Sequence, residues 1–113
     1  MENPYYQAAR YPNKTKAGKA YDPIQQIIHD VECDLSAYRL FVPSERQWYV
    51  VVIGEQPDAQ LHERLKTILT TLTRGEPTSL DEETFTLLLA RRVQQAQRGS
   101  WVEGHYDHPE EES

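Results

Sequence analysis

The 113-residue chain contains one cysteine and one methionine. With Cys33 alone there is no intrachain disulfide and no cysteine-based zinc knuckle. A lone thiol suits a reducing compartment. The five glycines form no phosphate-cradling run, and Gly54-Glu55-Gln56-Pro57 lacks the Gly-Lys-Ser/Thr of a nucleotide loop. No apolar stretch approaches the length of a bilayer span, so no membrane association is expected. The N-terminus lacks the apolar segment of a secretory signal, and cytoplasmic residence is the expectation. Positive charge is scarce too: 12 Lys and Arg stand against 18 Asp and Glu, a formal net charge of −6. A broad nucleic-acid footprint needs a basic surface, so it is not expected here.

Trp48-Tyr49-Val50-Val51-Val52-Ile53-Gly54 is the one unbroken apolar run. Its β-branched residues predict a strand covered on both faces. Ala37–Val42 alternates and predicts a second strand, joined to the first through the turn residues Pro43-Ser44-Glu45-Arg46. Ile24, Ile27, Ile28, Val31 and Leu35 form one helical stripe, predicting a helix over 23–35 with Asp22 as N-cap and Pro23 at the first position. Leu61, Leu65, Ile68, Leu69 and Leu72 predict a helix over 57–74, stopped by Gly75. Ser79 and Glu82 have capping-box spacing, and Phe85, Leu88, Leu89 and Val93 continue as a helix over 80–98.

The expected fold is thus a small single α+β domain of element order α-β-β-α-α. An antiparallel β-hairpin is packed by an αα-hairpin over residues 23–99, between flexible N- and C-terminal arms. A lone two-stranded hairpin is marginal in water, so either the three amphipathic helices cover it or a third strand completes the sheet. Residues 100–106 or another molecule are the expected sources, and a second molecule would add by β-augmentation.

The two ends differ in charge. Residues 1–22 hold Arg10, Lys14, Lys16 and Lys19 with Tyr5, Tyr6, Tyr11 and Tyr21, and no helical or strand period runs through them. They read as a flexible basic arm. Residues 100–113 begin with Trp101 and Tyr106 and end in Glu110, Glu111 and Glu112, an aromatic and then acidic tail.

No constellation announces catalysis. His29 and Cys33 stand four apart on the predicted first helix without an orienting group. His62-Glu63 has Lys66 where a zinc protease would need its second histidine. His105, Asp107 and His108 are metal-type donors, but in a polar tail without supporting residues. Arg91, Arg92 and Arg98 with their glutamines read as a solvated face. No cofactor and no metal is expected.

The reading is a small non-catalytic protein-binding module, an adaptor or an assembly or regulatory subunit. Its partner would be another protein or a second copy of itself. The expected contact residues are Tyr5, Tyr6, Tyr11, Lys14, Lys16 and Tyr21 in the first arm and Trp101 and Tyr106 in the second. The alternative is a nucleic-acid-binding accessory protein that stacks bases on the tyrosines and holds phosphates with the lysines.

Overall fold

Strand β1, Tyr5–Tyr11, occupies part of the segment expected to be an arm. A computed structural model describes residues 4–98 and places β1 along β3, Gln47–Gly54, antiparallel from Tyr5↔Gly54 to Tyr11↔Trp48. Its alternation was hidden by short and polar side chains. Tyr5, Ala9 and Tyr11 join the core on one face of the sheet, while Ala8 joins the core on the other. A third strand does complete the sheet beside β3, and it comes from the N-terminal segment. Residues 100–106 lie outside the described residues.

Helix α1, Lys14–Val31, starts nine residues earlier than the isoleucine stripe suggests. Asn13 is the N-cap, and its side-chain oxygen accepts from the Lys16 N–H at 2.9 Å. Ala17, Ala20 and Tyr21 extend the stripe of Ile24 and Ile28 towards the N-terminus, with alanines as the buried contacts. Pro23 lies inside the helix. Pro23 and Lys19 are both exposed, so the carbonyl that loses its partner belongs to the wet side. The helix ends at Glu32, in the left-handed conformation at φ 58°, with its N–H on the Ile28 carbonyl. Leu35 consequently belongs to β2, Leu35–Val42, and not to the helix.

β2 and β3 form the expected antiparallel hairpin. Its turn is closed by the Glu45 N–H on the Val42 carbonyl and the Arg46 N–H on the Pro43 carbonyl. From Trp48 to Gly54 every residue of β3 is buried. Asp58 caps α2, Ala59–Lys66, through the Leu61 N–H at 2.8 Å. The chain then widens into a π-helical segment, Thr67–Leu72, before the two-residue strand β4, Glu76–Pro77, pairs with β1. Helix α3, Glu82–Arg98, closes the described chain.

The sheet is antiparallel throughout, in the order β2-β3-β1-β4. Strand–helix–strand units interleave so that β1 and β2 flank β3, the split βαβ or ferredoxin-like arrangement. α1 and α2 share one face, over Tyr5, Ala9, Tyr11, Val50 and Val52. α3 covers the other, where Leu88 meets Ala8, Tyr38, Val51 and Ile53. The class is α+β as expected, with three helices, but α2 and α3 do not form a packed pair. The sheet separates them, because pairing at Glu76–Pro77 carries the chain along the β1 edge before α3 begins on the far face. Among the described residues, no helix is long and apolar enough to cross a membrane.

Candidate docking groove

The tyrosines of the first 22 residues are mostly structural. Tyr5, Tyr11 and Tyr21 are buried, so they are not the exposed anchors that the composition suggested. The Tyr5 hydroxyl meets His62 Nδ1 at 2.9 Å, and Gln7 donates to the same hydroxyl and to the His62 carbonyl, which ties β1 to α2. Burial raises the Tyr5 pKa, opposed by the Gln7 hydrogen bond. Tyr6 is half-buried against Phe85 and accepts from the Leu80 N–H. Lys14 lies over the Trp48 ring at 5.6 Å. Lys16 is exposed. Trp101, Tyr106, His105, Asp107 and His108 lie outside the described residues.

The His29–Cys33 spacing does not survive either. α1 stops at Val31, so His29 sits exposed on its last turn while Cys33 lies beyond the helix, packed at the edge of the core. Burial pushes the Cys33 thiol up, away from the thiolate that a nucleophile needs. His62 is held by Tyr5 and Gln7. Among the described residues, no group of three or more His, Cys, Asp or Glu is placed to hold a metal ion.

A surface feature appears instead between α1 and the α2–π segment. The π segment closes with the Thr73 N–H bonding five residues back to the Ile68 carbonyl at 3.3 Å. The Leu69 carbonyl is taken by the Tyr11 hydroxyl at 2.8 Å and by the Gly75 N–H at 2.9 Å. Gly75 is required there: a Cβ would lie 2.5 Å from both the Leu69 carbonyl oxygen and the Tyr11 hydroxyl. Burial raises the Tyr11 pKa, offset in part by the Thr73 hydrogen bond.

The wide turn changes which side chains face the core. In a regular α-helix Leu72 would continue the stripe of Leu61, Leu65 and Ile68. One extra residue in a turn rotates the succeeding side chains by about 100°. Leu72 is accordingly 69% exposed while Leu69 is buried. With Ile27 and Ile68 it forms the apolar floor of an open groove of about 470 Å³, rimmed by Gln60, Glu63 and Arg64. Val31, also 47% exposed, is on the last turn of α1.

Leu72 is shared with a smaller depression of about 190 Å³ whose other walls include Lys16, Lys19 and Arg74. Lys16 and Lys19 are three apart on α1 and so share a face. All three cations are exposed, and none joins an ion pair among the described residues. The groove thus has an apolar floor and one basic end, on a chain of net charge −6. Neither family models, nor curated proteins, nor solved structures give a match to this chain.

Proposed function

We propose that this chain is a non-catalytic protein-binding module, acting as an adaptor or as an assembly or regulatory subunit, and that its partner seats in the groove between α1 and α2. One observation carries this reading: Leu72 is 69% exposed at the point where the apolar floor meets the basic end. Fully burying an exposed leucine is worth about 1.5–3 kcal/mol, and covering Leu72, 69% exposed, recovers the greater part of it. A partner that supplies the cover gains that term without disturbing the core.

The test is a photo-activated cross-linker placed at Thr67, on the exposed rim, in the full chain within its native host. A discrete protein adduct that disappears with Leu72→Asp supports the reading. No Leu72-dependent adduct overturns it.

Nucleic-acid binding is a second reading because Lys16 and Lys19 meet Arg74. Tyr11, expected to stack on bases, is buried, which weakens that reading. It requires an affinity for single strands that falls steeply with salt and with Lys16→Glu.

A further inference from the structure

The described residues expose four large apolar side chains: Val31, Leu72, Leu87 and Val93. They lie on two sides of the sheet. Val31 and Leu72 belong to the α1/α2 side of the sheet, and Leu87 and Val93 lie on the outer face of α3, on the other side. The two sides are complementary in charge.

The outer face of α3 carries Leu87, Ala90 and Val93, with Glu83 on the same face near the helix start and Glu82 beside it. Leu87 and Val93 are each 54% exposed, and six residues of helix set them about 120° apart, with Ala90 between them and the exposed Thr86 and Gln94 on the same arc. The outer side of α3 thus carries two large exposed apolar side chains among polar ones, behind an acidic first turn. The groove offers the counterpart, with Ile27, Ile68 and Leu72 on its floor and Lys16, Lys19 and Arg74 at one end. Lengths also agree. Lys16 to Ile27 along α1 spans about 17 Å, and Glu83 to Val93 along α3 about 15 Å, at 1.5 Å per residue.

We propose that the occupant of the α1/α2 groove is the outer face of α3 from a second copy of this chain, seated with Glu82 and Glu83 against Lys16, Lys19 and Arg74 and with Leu87 and Val93 over Leu72 and Ile27. This rests on the groove being a protein-docking site. A groove between helices, whose backbone groups are internally bonded, suits a helix better than a strand, which seeks a sheet edge. Donor and acceptor patches lie on opposite faces, so one molecule's α3 cannot reach its own groove. The contact is head-to-tail, and it propagates into a ring or a filament unless the ends are capped.

The test uses the full chain in sedimentation velocity across a concentration series. Wild type is expected to show mass rising with concentration beyond the dimer. Leu72→Asp alone and Leu87→Asp/Val93→Asp together each lower self-association at least tenfold. An equimolar mixture of the two variants forms a 1:1 dimer that grows no further, because each retains one half of the contact. The charge reversal Lys16→Glu/Lys19→Glu weakens association, and Glu82→Lys/Glu83→Lys in the mixed partner restores it. The altered side chains are solvent-facing, and circular dichroism establishes that each variant is folded. A chain that stays monomeric at all concentrations overturns the proposal, as does self-association unaffected by Leu72→Asp or a mixture that fails to dimerise. A monomeric chain that still gives a Leu72-dependent cross-link to a different protein overturns the self-docking alone. Loss of that cross-link as well removes the groove reading with it.

Discussion

The hydroxyl of Tyr11 donates to the carbonyl of Leu69 at 2.8 Å, joining the last residue of β1 to the middle of the π-helical segment. The same carbonyl accepts from Gly75, and the Tyr11 hydroxyl also meets Thr73 Oγ1 at 2.9 Å. A strand side chain thereby supports the wide turn that rotates Leu72 to the surface. The groove depends on this contact between segments 58 residues apart in sequence.

Tyr11→Phe removes the hydroxyl and keeps the ring. The Leu69 carbonyl retains Gly75 as a donor, so the expected loss is about 1 kcal/mol of unfolding free energy, read from urea denaturation. A loss near zero would mean that the hydroxyl does not support the turn.

Stability at high pH depends on the buried phenols. Tyr5, Tyr11 and Tyr49 all have pKa values raised above the ordinary tyrosine value, in each case chiefly by burial. A raised pKa in the folded state means that the native protein holds the proton more tightly than the unfolded chain does. The contribution is complete below about pH 10 and is lost as pH climbs through the raised values. Denaturation midpoints are expected to fall above pH 10, and Tyr11→Phe to fall less steeply. An unchanged slope in the variant contradicts the assignment.

Two glycines make opposite predictions. Gly75→Ala drives a methyl to 2.5 Å from backbone and ring atoms and is expected to cost about 1–3 kcal/mol. Gly18→Ala meets only the end of the Arg39 side chain, at 3.0 Å, and gains helix propensity. Its melting temperature is expected to equal or exceed that of the wild type. The two melting curves, compared side by side, check both statements.

The start of α1 is tested by its caps. Asn13→Ala is expected to lose about 1 kcal/mol, whereas Asp22→Ala, inside the helix and exposed, stays within about 0.5 kcal/mol. The reverse order would restore the shorter helix that the isoleucine stripe suggests.

These contrasts show what the chain announces in its residues. β3 was legible because β-branched residues run without a break, and the hairpin with it because Pro43–Arg46 is turn chemistry. β1 was not, because its alternation is written in tyrosines, alanines and a glutamine, which carry no strong hydrophobic signal. One clue was available: a strand as apolar as β3 needs a neighbour on each edge, and Tyr5, Ala9 and Tyr11 stand at alternating positions. The early turns of α1 were masked in the same way by Ala17 and Ala20, small residues that nevertheless fill the contact with the sheet. Leu72 illustrates the opposite limit. Its spacing places it in the core, and the wide turn, supported by Tyr11, Thr73 and Gly75, turns it outward. The groove itself joins α1 to a segment about forty residues later, so no local pattern could announce it.

The outward placement of Leu72 is checked most directly by urea unfolding of Leu72→Ala. If the side chain stands on the surface, the variant unfolds within about 0.5 kcal/mol of the wild type. A loss of about 2–5 kcal/mol, the range for removing a leucine from a core, would return Leu72 to the interior and contradict the groove on which the functional reading stands.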